Sequence, residues 1–149
     1  MPEVMPTRED WGDLGVDPEV EYGYKVFGGK TRAEARPLFV EHPLERAAEL
    51  RFAPAAVFNY YIFCFVDHLL SPHSRGESDM ASAFLRLVLD RAASQPTQLQ
   101  SVWAELSLAV GAVADRQAFY EANAAIYGSF AELATHIQSA QASAGSRGA

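Results

Sequence analysis

The sequence predicts an all-α protein: a single domain of five to six helices around a central aromatic-rich helix, with an extended N-terminal segment. Three observations lead to this fold class. Apolar residues recur at helical spacing along most of the chain after Thr31. Prolines and capping residues stand where these stretches begin. The 149 residues are 49% hydrophobic and 21% charged, which is typical of one globular domain.

The first expected element is an irregular acidic arm over residues 1–19, which contains three prolines, two glycines and no lasting apolar period. In the segment that follows, Val20–Phe27, every second residue is Val or Tyr, and this period of two is typical of a β-strand. The residues on its more apolar side are Val20, Tyr22, Tyr24 and Val26. Because no second strand follows, we expect extended chain that pairs with the arm, pairs with another subunit or lies on the helices.

Helices are expected from Thr31 onward. Thr31 and Glu34 have the spacing of a capping box, in which each side chain satisfies a free backbone N–H of the other residue. Pro43 starts a short second helix, since proline is favoured at the first helical position. Pro54 opens a third helix to about Leu70 that is apolar on nearly every face, so it is predicted to be the buried centre.

Three longer helices are expected in the second half of the chain. One runs from Ser78 to about Ala93, the next covers about 98–115, and the last begins at the capping-box spacing of Ser129 and Glu132. A short helix is expected near Phe119–Tyr120. The expected division of the chain is an arm at 1–19, a helical domain at 20–138 and a flexible Ala-, Ser- and Gly-rich tail at 139–149.

The net charge of −7 is concentrated near the N-terminus. Residues 1–21 carry seven acids and one base, a net charge of −6, whereas the rest of the chain is nearly neutral. A general nucleic-acid binder needs clustered Lys and Arg, so the composition argues against that class. Such a dense negative segment has two possible roles: it attracts a basic protein partner, or it only keeps the protein in solution. The expected partner-binding residues are Glu9, Asp10, Asp13, Asp17, Glu19 and Glu21.

One group of possible metal ligands surrounds the turn after the central helix. Its members are Asp67, His68, His73, Glu77 and Asp79. Imidazole and carboxylate groups suit Zn or Fe, but a helical site needs ligands three or four residues apart, and no His-x-x-x-His or Glu-x-x-His pair occurs. We therefore expect no metal and no cofactor, and keep a metal-binding protein or enzyme that uses the Asp67–Asp79 turn as an alternative.

No residue pattern indicates catalysis. Cys64 is the only cysteine, so it forms no internal disulfide or Cys-type metal site, and its phenylalanine neighbours indicate a small buried residue. No Gly-x-Ser-x-Gly motif occurs. Gly29-Lys30-Thr31 lacks the earlier glycine of a phosphate-binding loop, because Tyr24 stands at that position. The protein is therefore expected not to be an enzyme.

The expected compartment is the cytoplasm, and no membrane partner is expected. The start of the chain lacks the basic region and apolar core of a signal peptide. The longest apolar stretch, Ala55–Val66, is too short to span a bilayer. A structural protein that forms a homodimer through Val20–Phe27 is a further alternative.

A series of short motifs, mainly aromatic residues and helix starts, extends from about residue 22 to 130. The motifs are Tyr22-Gly23-Tyr24-Lys25 with Phe27, Gly29 and Thr31; Pro43 with Glu45-Arg46; Glu49-Leu50 with Phe52; Phe58 with Tyr60-Tyr61; Ser78-Asp79 with Ala81-Ser82 and Phe84-Leu85; Phe119-Tyr120; and Ile126-Tyr127-Gly128 with Phe130. In these motifs the chain resembles an uncharacterised family of small bacterial helical proteins, which look like the immunity partners of bacterial toxin systems. The resemblance implies binding rather than catalysis and supplies no catalytic residue. The expected function is a non-enzymatic protein-binding module, an immunity-type protein that neutralises a basic toxin or effector.

Overall fold

The computed structural model describes residues 4–147 and places the aromatic-rich helix at the centre of the molecule. The α-helices are α1 Pro18–Phe27, α2 Arg32–Glu41, α3 Pro43–Arg51, α4 Ala55–Leu69, α5 Ser78–Ser94, α6 Trp103–Ala114, α7 Ala124–Tyr127 and α8 Phe130–Arg147. Three 3₁₀ helices lie at Glu9–Trp11, Pro72–Ser74 and Pro96–Val102. The predicted all-α single domain is confirmed. The predicted number of helices was too low, since the described residues form seven longer helices and the single turn α7.

Helix α4 is enclosed on all sides, as its sequence predicts. Twelve of its 15 residues are buried, and α2, α3, α5 and all three 3₁₀ helices pack against it. Its rings continue a chain of aromatic contacts in which neighbouring centroids are 4.8 to 6.2 Å apart. The rings of this chain belong to Phe27, Phe39, Tyr61, Phe65 and Phe84. Aromatic rings bury large apolar areas, so this chain forms the main part of the core.

Two hydroxyl groups of α4 hold the connection between α1 and α2. The Tyr61 hydroxyl donates to the Lys30 carbonyl oxygen at 2.7 Å, and burial raises the pKa of this tyrosine. The Tyr60 hydroxyl accepts a hydrogen bond from the Arg32 backbone N–H at 3.0 Å. Because both rings are buried, each hydroxyl needs such a partner. The pair fixes the end of α1 and the start of α2 on the central helix.

Arg91 of α5 is buried without a carboxylate partner among the described residues. The side chain is 2% exposed. It donates to the carbonyl oxygens of Ala53 at 2.7 Å and Leu50 at 3.2 Å, and to the Gln98 side-chain oxygen at 2.7 Å. Leu50 lies in the last turn of α3 and Ala53 just beyond its end, where the helix dipole is negative and favours a cation. Burial lowers the pKa of Arg91 to about 10, so the guanidinium stays charged at neutral pH. Arg91 therefore joins α5 to the connection between α3 and α4.

The prediction of an extended segment at Val20–Phe27 is wrong, because these residues belong to α1. The Asp17 side chain caps this helix by accepting a hydrogen bond from the Glu19 backbone N–H at 2.9 Å, and Pro18 occupies its first position. Tyr22, which the alternation placed beside Val20, is instead 55% exposed. The buried residues of α1 are Val20, Gly23 and Phe27. A homodimer joined through this segment as a strand therefore loses its structural basis.

The prediction of a short helix at Phe119–Tyr120 is also wrong, since these residues lie in a series of turns. Glu121 has a positive φ of 56°, a left-handed conformation that does not continue a helix. The short helix is α7 instead, which begins after Asn123 caps the Ala125 backbone N–H.

The last helix, α8, is longer than its sequence predicts. It continues past Ser139, where we expected the helix to end, up to Arg147. The buried Gln141 side chain donates to the Pro96 carbonyl oxygen at 2.8 Å, so this part of α8 packs on the 3₁₀ helix before α6. Flexibility of the segment 139–149 stays a prediction.

Replacing Arg91 by Met should lower the free energy of unfolding by about 3 kcal/mol, because the buried carbonyl groups at the end of α3 lose their donor. Arg86 lies on the exposed face of the same helix and donates to the Tyr127 carbonyl oxygen at 2.7 Å. Arg86→Met is therefore the control and should cost about 1 kcal/mol, the net contribution of one exposed hydrogen bond. Urea denaturation of the three proteins measures both values. Equal losses in the two variants would contradict the role given to Arg91.

Candidate partner-binding surface

Trp11 anchors the N-terminal segment on the core. Its side chain is 2% exposed. Its ring centroid lies 5.3 Å from that of Tyr24, 5.4 Å from that of Phe27 and 6.1 Å from that of Tyr61. The 3₁₀ helix Glu9–Trp11 packs on α4. The acidic residues on either side of Trp11 are therefore carried by a segment that is packed against the domain.

The six acidic residues predicted to bind a partner lie along this segment and α1, and none of them is buried. We call Glu9, Asp10, Asp13, Asp17, Glu19 and Glu21 the acidic segment. Its three aspartates organise the backbone, since each accepts a hydrogen bond from a nearby backbone N–H, at 2.8 Å for Asp10, 3.0 Å for Asp13 and 2.9 Å for Asp17. These side chains shape the segment and still add their charge to its surface.

The three glutamates of the acidic segment are more available to a partner. Glu21 forms an ion pair with Lys25 at 3.5 Å, in which the Lys25 side chain is largely exposed and that of Glu21 is partly exposed. Such pairs contribute little to stability. Glu9 and Glu19 are exposed, and no base of the described residues forms an ion pair with them. Glu19 also faces a groove, so it joins the segment to the neighbouring surface.

This groove, which we call the α1–α3 groove, is open to solvent and has a volume of about 470 Å³. Its lining residues are Pro18, Glu19, Tyr22, Leu44, Glu45, Ala48 and Glu49. Tyr22 and Leu44 are 55% and 57% exposed and lie beside the same groove, so they form an exposed apolar patch. The sequence pattern did not predict these two residues as surface features. Helical spacing counted from the Asp17 cap would have placed Tyr22 opposite the buried face of α1.

A buried ion pair forms the base of the α1–α3 groove. The Arg46 side chain donates two hydrogen bonds to the Glu49 carboxylate, at 2.5 Å and 2.9 Å, and both residues are almost fully buried. Burial raises the pKa of Glu49, and the Arg46 cation opposes this shift. Gly23 lets α1 approach closely, since a Cβ atom there would lie 3.1 Å from the Glu49 Cβ atom. The two helices are thus held in close contact beneath the groove.

The residues of the alternative metal site do not come together. The predicted ligands were His68, His73, Glu77 and Asp79, beside Asp67. Asp67 instead pairs with Arg32 at 2.5 Å, and Asp79 accepts a hydrogen bond from the Tyr127 hydroxyl at 2.7 Å. In the part of the chain that the structure describes, no group of three or more His, Cys, Asp or Glu side chains could hold a metal ion. The metal-binding alternative stays a prediction.

Cys64 lies in the core, where its sequence neighbours predict it. The side chain is fully buried on α4, and burial raises the pKa of the thiol to about 12. The nearby Asp67 carboxylate acts in the same direction. A reactive cysteine requires access and a stabilised thiolate, so this residue is part of the packing.

No protein-family model, curated protein or solved structure matches the chain. Between residues 4 and 147, no helix combines the length and the apolar character needed to cross a membrane.

Replacing Trp11 by Ala should release the N-terminal segment, because the aromatic contacts that hold it are lost together with about 3 to 5 kcal/mol of stability. Trypsin should then cleave after Arg8, which is exposed and whose guanidinium lies over the Tyr24 ring in the intact protein. Mass spectrometry over a digestion time course gives the rate at this bond. Trp103→Ala, on α6, is the control and should leave that rate unchanged. Equal rates in wild type and Trp11→Ala would contradict the anchoring.

Stability should decrease as the pH falls below about 6.5, in part because of His68. Burial lowers the pKa of this imidazole, and the charge of Glu77 opposes the shift. The folded protein therefore takes up the proton less readily than the unfolded chain, so the contribution of His68 is present above pH 6.5 and lost as the pH falls through its folded-state pKa. Urea denaturation at pH 7 and pH 5 should show that His68→Leu loses less free energy of unfolding between the two pH values than wild type does. His136→Leu, at an exposed site, should behave as wild type. An unchanged pH dependence in His68→Leu would exclude this origin.

Proposed function

We propose that this protein is a non-enzymatic binding module that holds a basic protein partner against its acidic segment. The observation that carries the proposal is the concentration of charge: a net charge of −6 within residues 1–21, with six unburied carboxylates on a segment that Trp11 anchors. The remainder of the chain is close to neutral. A basic surface of a partner would therefore be drawn to one end of the molecule.

The anchoring supports this function because it lowers the cost of binding. A free acidic tail would have to be ordered on the partner, and that ordering opposes association. Here the aspartates hold the backbone through local hydrogen bonds, and Trp11 is packed among Tyr24, Phe27 and Tyr61. Exposed charges of this kind act mainly on the rate of association and are screened by salt.

The finer form of the proposal is an immunity-type protein that occludes a basic toxin or effector in the cytoplasm. Its support is the resemblance carried by the motifs between about residues 22 and 130, together with the negative sign of the acidic segment. An immunity protein acts by covering its partner, so it needs a matching surface and no catalytic group. The exposed glutamates beside the apolar residues of the α1–α3 groove provide a surface of this type.

The test is capture of the purified products of neighbouring genes at low and moderate salt. In the variant, Glu9, Glu19 and Glu21 are changed to Gln, which leaves the hydrogen-bonded aspartates intact. The control variant changes three exposed acids of the body, namely Glu41→Gln, Asp115→Asn and Glu132→Gln. We expect the first variant to bind a captured partner about tenfold more weakly at low salt, with a smaller difference at higher salt. Absence of any partner, or equal binding by both variants, would contradict the proposal.

Occlusion is tested separately by co-expression with the captured partner. If the partner is a toxin or effector that stops growth, wild type should restore growth, and the triple Gln variant should restore it less. The body-surface control should protect as well as wild type. A captured partner that has no effect on growth would contradict the immunity-type form and leave the binding function in place.

A further inference from the structure

We propose that the α1–α3 groove binds an apolar side chain presented by a basic segment of the partner. This inference rests on the proposed function and adds a specific contact to it. The acidic segment alone would select a partner by charge, whereas a groove that admits an apolar side chain selects by shape as well. The occupant is thus an amphipathic stretch of a protein, in which Lys or Arg residues flank a large apolar residue.

The shape of the groove suits such an occupant. Tyr22 on α1 and Leu44 on α3 expose more than half of their surface on either side of it, and the small, exposed side chain of Ala48 leaves room on the α3 side. A volume of about 470 Å³ lies within the range of sites that enclose ligands of moderate size. A few side chains buried at the centre of an interface, with Trp and Tyr prominent among them, typically contribute most of its binding energy.

The charges around the groove determine whether it favours a positively or a negatively charged occupant. Glu19 and Glu45 are both exposed, one in the first turn of α1 and the other in the first turn of α3. The third carboxylate of the lining, Glu49, is paired with Arg46 beneath the surface. No Lys or Arg belongs to the described lining. A Lys or Arg next to the apolar anchor would therefore meet an uncompensated carboxylate on each helix.

A neighbouring groove shows that this charge pattern is not general. It lies between α3 and α5, shares Leu44 and Ala48 with the first groove, and is lined in addition by Arg51, Arg86 and Asp90. Asp90 pairs there with Arg51 at 3.5 Å, so a basic segment would meet the cation of Arg86 and no unpaired carboxylate of the lining. The basic occupant thus fits the α1–α3 side of Leu44 and not the α5 side.

The base of the groove is closely packed, which favours binding. Arg46 pairs with Glu49, and its guanidinium carbon also lies 6.0 Å from the Tyr22 ring centroid. The close approach at Gly23 keeps α1 against α3. A site that is formed before binding avoids the cost of ordering its side chains.

The experiment uses three synthetic helical peptides and isothermal titration calorimetry at low salt. The first peptide carries Lys on one face and Leu on the other, the second replaces Leu by Ser, and the third replaces Lys by Glu. The protein variants are Leu44→Ser and Tyr22→Ser, with Leu108→Ser as the matched control, since Leu108 is 76% exposed on α6. We expect the Lys–Leu peptide to bind tightest, and each groove variant to weaken it about tenfold. Leu108→Ser should bind it as wild type does.

Leu44→Lys adds a readout that loss of packing alone would not give. It places a cation in the groove, so it should weaken the binding of the Lys–Leu peptide and strengthen the binding of the Glu-containing peptide. Circular dichroism confirms that each variant is folded. Backbone amide shifts in an NMR titration should move along α1 and α3 and not along α6.

The outcomes separate this inference from the function on which it rests. If the Lys–Leu and Lys–Ser peptides bind equally, and the groove variants change nothing, the groove inference is wrong while binding of basic segments stands. If neither Lys peptide binds better than the Glu peptide, both proposals are overturned. If binding depends on Leu but is weakened by Leu108→Ser instead of Leu44→Ser, the apolar contact lies on α6 and the assignment to α1 and α3 fails.

Discussion

Helix α4 is apolar on nearly every face, and the need to cover all of it determines how the other helices are arranged. Elements from both halves of the chain pack on it, from the 3₁₀ helix Glu9–Trp11 to the 3₁₀ helix before α6. The buried hydroxyl groups of Tyr60 and Tyr61 find their partners in the connection between α1 and α2. Where α3 ends beside α4, the bare carbonyl groups are satisfied by Arg91. Core and polar contacts thus support the same arrangement.

The acidic surface is a consequence of this enclosure. Trp11 covers part of the aromatic core, and α1 packs on α3 with Gly23 at the contact. The carboxylates between these two anchoring points are left on the outside. The same packing leaves Tyr22 and Leu44 beside a groove instead of within the core. Charge and exposed apolar surface therefore lie next to one another, and a binding surface combines both.

Local signals could be read from the sequence, whereas contacts between distant segments could not. The capping box of Thr31 and Glu34 is present, and α4 follows Pro54 as predicted, because caps and apolar faces depend only on neighbouring residues. For α1, an accidental alternation of period two outweighed the helix-start signals of Asp17 and Pro18. Arg91 and the α1–α3 groove depend on which helix ends meet, and no residue near them in sequence indicates this. The acidic segment was visible from its charge, but its anchoring was not.

The central claim is that the acidic segment is a fixed part of the helical domain, and hydrogen exchange of the free protein followed by NMR tests it most directly. Amides from Trp11 through α1 should be protected against exchange, and their opening should require a large share of the free energy that unfolds α4. Exchange of these amides at the rate of an unstructured chain, while α4 stays protected, would contradict the claim. The carboxylates would then belong to a loose tail, and recognition would have to be sought on the remaining helices.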